Sequence, residues 1–104
     1  MEAPPLSLRA MVYSEGTECF AHCLDFDLVE TGDTSDAAMN ALAEAAGTQL
    51  AYARTNDNFA YLFHPAPREA WQRFGEILGL PHRTLVRVLA DQDREFAIQS
   101  LLAA

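Results

Sequence analysis

The sequence predicts an α+β fold in which an antiparallel sheet of three to four strands carries one long helix across one face. Three short segments with strand-like character lie in the first third of the chain, and a long alanine-rich segment follows them at once. The corner between them reads Gly32-Asp33-Thr34. It offers a glycine for the turn and a threonine oxygen for the helix N-cap. The predicted order therefore begins strand, strand, strand, helix.

The strands are predicted from alternating apolar residues and from the turns between them. The first covers residues 8–13, and a turn over residues 14–17 leads into a second strand over 18–24. A connection this short makes the two strands an antiparallel hairpin. A bend then leads to a third strand over 26–31, whereas residues 1–7 are predicted to be a flexible N-terminus.

Two helices are predicted from apolar residues at helical spacing. The main helix covers residues 35–53, and its apolar stripe suits one face of a sheet. The polar cluster at residues 55–58 ends it. A second helix follows Pro67, carries Trp71, and is closed by the Gly79-to-Pro81 segment.

The C-terminal part fits more than one structure. In residues 83–90 the alternation and the β-branched side chains favour a strand, whereas the Leu85, Val88 and Leu89 stripe favours a helix. We favour a fourth strand. The tail from Asp91 is predicted to be a short helix. The whole chain, 1–104, is then one domain with a core over 8–53 and a second part over 65–104.

The charge of the chain is strongly acidic and unevenly placed. The formal net charge is −8, and residues 1–36 hold eight acidic residues against Arg9 alone. The negative electrostatic field of such a chain repels phosphate backbones, so direct nucleic-acid binding is disfavoured and a basic protein partner is favoured. Solubility alone is the alternative explanation.

Cellular location is predicted from what the sequence lacks. No apolar run approaches the roughly 20 residues that a membrane span needs. The N-terminus has no basic start typical of a secretory signal, and two cysteines cannot form a disulfide framework. We therefore expect a cytoplasmic protein without membrane contact.

The residues that could carry chemistry do not form a recognisable catalytic, cofactor or metal site. On an extended strand Cys19 and Cys23 share a face but lie about 13 Å apart, and His22 points to the other face. Buried thiols under the main helix are the better interpretation. Because no nucleophile-and-base spacing and no glycine-rich phosphate loop is present, we predict no enzyme.

The strongest candidates for a binding surface are acidic, although a merely solvated strand end is the alternative. They are Asp25, Asp27, Glu30, Asp33 and Asp36. Replacing Asp25 and Asp27 with asparagine is expected to weaken partner binding and to leave stability nearly unchanged.

Residues 9–74 resemble the HicB-like antitoxin superfamily. The resemblance lies in a strand that ends in Gly32-Asp33-Thr34 before a helix, and in Tyr61-Leu62-Phe63-His64-Pro65-Ala66-Pro67 followed by Trp71. The latter is similar to the Asn-Leu-Phe-x-Pro-Ala-Pro of a branch that often lacks a DNA-binding domain. Two features depart from the family: Asp36-Ala37-Ala38 stands for Glu-Glu-Ala, and His22 to Leu28 replaces Pro-Asp-Leu-Pro-Gly.

The resemblance implies a β-β-β-α-α-β fold and a non-enzymatic, antitoxin-type interaction domain. Its partner would be a small basic ribonuclease of double-stranded-RNA-binding-domain type, whose active site the antitoxin covers. The alternative is an orphan self-associating domain without a toxin partner.

Self-association is predicted in either case, as a homodimer or a higher even assembly. A small sheet covered on one face leaves strand edges and a second face open. The expected interface residues are Trp71, Phe74, Val86 and Val88, although Trp71 and Phe74 also suit a core that seals the second helix.

Overall fold

The computed structural model describes residues 6–91 and 94–103 and has an α+β fold, as predicted. Its elements in chain order are β1 (Leu6–Glu15), β2 (Glu18–Cys23), β3 (Leu28–Gly32), α1 (Ser35–Thr55), a short 3-10 turn (Phe59–Leu62), α2 (Arg68–Leu78), β4 (His82–Asp91) and β5 (Arg94–Ala103). β1 begins inside the predicted flexible N-terminus, of which residues 1–5 lie outside the described part.

The sheet has five strands in the order β3-β2-β1-β5-β4. β1 and β5 are parallel, and the other neighbouring pairs are antiparallel. The prediction of a wholly antiparallel sheet of three to four strands is therefore wrong in strand number and in direction. The prediction of a strand over 83–90 is confirmed, because this segment forms most of β4.

The tail predicted as a short helix is instead β5, which lies between β1 and β4. Phe96, Ile98 and Leu102 belong to the α1 side of the core, and Leu101 belongs to the other side. A strand that is buried on both faces has no polar alternation, because neither face meets water. Its apolar residues therefore imitate a helical stripe in the sequence.

Helix α1 covers one face of the sheet, as predicted. Thr34 is its N-cap, with the side-chain oxygen accepting a hydrogen bond from the backbone N–H of Ala37 at 3.0 Å. The helix continues two residues beyond the predicted end, to Thr55. Its buried residues are Ala38, Met39, Leu42, Ala46, Leu50 and Ala53.

The other face of the sheet is covered in part by α2 and the segment before it. Met11, Leu24, Ala66, Ile77 and Leu101 form a second buried cluster there. The backbone N–H of Ala66 donates to the carbonyl oxygen of Leu24 at 2.8 Å, which ties the proline-containing segment to the end of β2. Neither helix in the described residues is long and apolar enough to cross a membrane.

Candidate interaction surface

The structure separates the five predicted acidic residues along β3. Asp25 and Asp27 precede this strand, whereas Asp33 and Asp36 follow it, and the strand spans roughly 16 Å at ~3.3 Å per residue. Glu30 lies between the two groups, half-buried and opposite the buried Ala21 of β2. The fold therefore does not bring all five together as one surface.

Asp25 is engaged in holding the fold. One carboxylate oxygen accepts from the backbone N–H of Arg9 at 2.7 Å, and the other accepts from the Arg9 guanidinium at 2.9 Å. The Asp25 side chain is only 14% exposed. The same guanidinium lies 4.6 Å from the centre of the Trp71 ring. Asp25 thus connects β1 to the end of β2, and it offers no free carboxylate to a partner.

Asp27 is also paired within the chain. One of its carboxylate oxygens lies 2.8 Å from Nε2 of His22, which is buried on the α2 side of the sheet. Asp27 has a φ of +53°, a left-handed conformation that aspartate tolerates better than most residues. His22 is therefore the hydrogen-bonded partner of an acid within the chain.

A different group of carboxylates gathers where β3 ends. In the sheet register Glu15 lies opposite Glu18, and Cys19 lies opposite Gly32, so Glu18 is next to Asp33. Asp36 follows in the first turn of α1. We call Glu15, Glu18, Asp33 and Asp36 the acidic end. All four are exposed.

The acidic end is only weakly compensated by cations. Asp36 lies 3.6 Å from the Arg87 guanidinium. In the described ranges, Glu15, Glu18 and Asp33 make no ion pair. Sequence reasoning missed the two glutamates, although the predicted 14–17 turn already placed them across a hairpin from one another.

The two cysteines lie as the sequence predicted, on the face of β2 that α1 covers. Cys23 is fully buried and Cys19 is half-buried, while His22 lies on the opposite face. Burial raises the pKa of the Cys23 thiol from 9.0 to about 11. Because the thiolate is the reactive form, this residue is chemically inert in the folded chain. No group of three potential ligands that could hold a metal ion is found among residues 6–91 and 94–103.

We expect Cys19 to be alkylated before Cys23 when the folded protein is treated with iodoacetamide near pH 8. The modification of Cys23 should follow the rate of unfolding, since its thiol is buried and protonated at this pH. Because the folded pKa is the higher one, the stability that this thiol contributes is present below pH 9 and is lost as the pH rises through about 11. Peptide mapping of samples taken over time would measure the two alkylation rates. Equal rates for Cys19 and Cys23 would contradict the burial of Cys23.

The predicted interface residues fall on two parts of the α2 side. Trp71 and Phe74 are both half-buried and pack against the second buried cluster. Their two rings contact each other edge to face, with centres 6.3 Å apart. Val86 and Val88 lie on β4 at the edge of the sheet, where they are 48% and 61% exposed. The valines are therefore open to a partner, whereas the aromatic residues mainly fix α2.

Comparison with known proteins adds no homologue: no protein-family model, curated protein or solved structure gives a significant match to this chain. The resemblance to HicB-like antitoxins stays a prediction from its motifs. The acidic end and the exposed edge of β4 are the structural features that bear on function.

Proposed function

We propose that this chain is a non-enzymatic protein-interaction domain of HicB-like antitoxin type, which binds a basic protein partner through its acidic end. The observation that carries the proposal is the position of Glu15, Glu18 and Asp33, three exposed carboxylates on adjacent positions of β1, β2 and the β3 end. No arginine of the described residues neutralises them.

Adjacent like charges on neighbouring strands are unfavourable in the free chain, because the carboxylates repel one another. A partner that places arginine or lysine against them removes this repulsion and gains from charge complementarity. Asp36 is explained without a partner, since a carboxylate in the first turn of a helix interacts favourably with the helix dipole. The proposed contact therefore depends on the other three.

The negative net charge of the chain and the motif resemblance together indicate the kind of partner. A chain of net charge −8 disfavours contact with a phosphate backbone and favours a protein that itself carries nucleic-acid-binding cations. A small basic ribonuclease is such a protein. In this proposal the acidic end occupies the cationic surface with which the ribonuclease would bind RNA.

Neutralising the acidic end is expected to slow association with the partner roughly tenfold at low salt, because exposed charges act mainly on the encounter rate. The variant combines Glu15→Gln, Glu18→Gln and Asp33→Asn. The partner would be a small basic ribonuclease-like protein encoded beside this chain, and surface plasmon resonance at low and high salt would give the rates.

A matched control removes the same charge elsewhere, through Glu44→Gln, Asp57→Asn and Glu76→Gln. These side chains are exposed and lie outside the acidic end. The control should bind like the wild type apart from a small general effect of net charge. Equal losses in both variants would contradict a localised contact, and failure of the wild type to bind at low salt would contradict the proposed function.

The second candidate function is a self-associating domain without a toxin partner. The observation that favours it is β4, a ten-residue strand that has one neighbour, β5, among the described residues. An edge of this length presents a row of backbone groups that another strand can pair with.

A further inference from the structure

We propose that β4 pairs antiparallel with β4 of a second copy, around a two-fold axis that passes beside Val86 and is perpendicular to the sheet. The two five-stranded sheets then become one continuous sheet. This inference rests on the self-association candidate and is independent of the acidic end.

The two edges of the sheet differ in how well they are protected. β3 has five residues, follows the left-handed Asp27, and carries Glu30 at its centre. Short, charged and bent edges resist pairing with another chain. β4 has ten residues and an unbroken register with β5, from His82 opposite Ala103 to Asp91 opposite Arg94, so it contains no bulge. It also contains no proline. β4 is therefore the edge that is competent to pair.

The α2 side of β4 is apolar and uncovered. Thr84, Val86 and Val88 alternate along this side, opposite Leu101, Gln99 and Ala97 of β5. All three are exposed, although β-branched side chains normally pack against neighbours on a sheet. A second β4 beside them would supply such neighbours.

The arginines of β4 select the register. A perpendicular two-fold axis places one residue opposite its own copy, and like charges directly opposite are destabilising. An axis at Arg87 would oppose two arginines, and an axis at Leu85 would oppose Arg83 to Arg87 of the second copy. An axis at Val86 avoids both arrangements.

With the axis at Val86, every pair over residues 82–90 is compatible. Arg87 lies opposite Leu85, and Arg83 lies opposite Leu89. On the α2 side Val86 meets Val86, while Val88 meets Thr84. β-Branched pairs of this kind stabilise antiparallel sheets. An axis at Val88 also avoids opposed arginines, but it pairs only residues 85–91 of β4.

Arg87 is compatible with the pairing in this register, because it lies opposite Leu85 and because α1 of the same copy holds its guanidinium. Its guanidinium donates to the side-chain oxygen of Asn40 at 3.3 Å and lies 3.6 Å from Asp36. β4 itself carries two arginines and one aspartate, so this edge of an otherwise acidic protein has no excess of negative charge. Two copies can approach at β4 with less repulsion than at the acidic end.

Cysteine cross-linking tests the pairing and its register. In a Cys19→Ser background and under mild oxidation, Val86→Cys is expected to form an intermolecular disulfide, because Cβ atoms of opposed residues lie about 4.5–5.5 Å apart. Val88→Cys should not, since the two copies of residue 88 would be four positions apart along the strands, about 13 Å. Cross-linking of Val88→Cys but not Val86→Cys would overturn the proposed register.

Val29→Cys is the matched control on the other edge. Val29 is 47% exposed, nearly the same as Val86 at 48%, but it lies on β3. It should remain monomeric on a non-reducing gel. Cross-linking equal to that of Val86→Cys would mean random collision and would overturn the proposal.

Sedimentation equilibrium provides the second measurement. Val86→Lys places two ammonium groups opposite each other at the axis and should raise the dimer dissociation constant roughly tenfold, whereas Val29→Lys should leave it unchanged. The neutralised acidic-end variant should dimerise like the wild type, which separates this inference from the proposed partner contact. A wild-type protein that stays monomeric at all micromolar concentrations would overturn the proposed dimer. The same holds if its β4 pairs with an added extended peptide but not with a second copy of the chain.

Discussion

Replacing Gly32 with alanine is expected to lower the free energy of unfolding by about 3 kcal/mol. A Cβ atom at this position would lie 2.5 Å from the backbone nitrogen of Ala38 and 2.8 Å from both the carbonyl carbon and the Cβ of Ala37. These atoms belong to the first turn of α1 and cannot rotate away as a long side chain could. The strand end and the helix would have to move apart.

Gly47 provides the control, because a Cβ atom there would have no neighbour within 4 Å. It lies inside α1, so Gly47→Ala should raise stability by about 0.5–1 kcal/mol through the better helix propensity of alanine. Urea denaturation followed by circular dichroism measures both. Equal stability of Gly32→Ala and the wild type would contradict the close approach of β3 and α1.

The second large effect is expected at Asp25, where replacement by alanine should cost about 2–3 kcal/mol. Alanine removes both oxygens that accept hydrogen bonds from Arg9, and it leaves a backbone N–H and a guanidinium without this acceptor. Hydrogen bonds to a charged group that is mostly shielded from water are among the stronger ones in proteins. Asp25→Asn should lie between alanine and the wild type, because one amide oxygen remains.

Asp33→Ala is the matched control, since Asp33 is an exposed acid of the acidic end. Its effect on the free energy of unfolding should be within about 0.5 kcal/mol of zero. The same denaturation experiment compares the two variants. If Asp25→Ala unfolded like Asp33→Ala, the tie between β1 and the end of β2 would be energetically unimportant, and Asp25 would again be a candidate for partner binding.

Asp25 and Asp27 are held by contacts within the chain, so they are poor positions at which to test partner binding. From the sequence, Asp25 and Asp27 were expected to be replaceable by asparagine without loss of stability. Their contacts with Arg9 and His22 make loss of stability the expected result instead. Weaker binding by such a variant would not separate a lost contact from a partly unfolded chain, and this is why Glu15, Glu18 and Asp33 are the better choice.

Local chemistry was sufficient to predict much of the N-terminal half. The hairpin, the Thr34 cap of α1 and the opposite faces of Cys23 and His22 depend on interactions within a few residues of each other along the chain. The importance of Gly32 was also visible, but for a different reason. Its role is to let α1 approach closely rather than to form the turn with an unusual backbone conformation.

The remaining features depend on contacts between distant segments, and only the tertiary structure decided them. β5 lies between β1 and β4, parallel to β1, and its apolar side chains are buried on both faces of the sheet because α1 and α2 cover opposite faces. Asp25 meets Arg9 across 16 positions of the chain. The sequence by itself determined the fold class and the acidic charge, and it favoured, without deciding, the strand of β4. The order of the strands places β4 at an edge and Glu18 beside Asp33. This order depends on contacts between distant parts of the chain, which no short segment of sequence encodes.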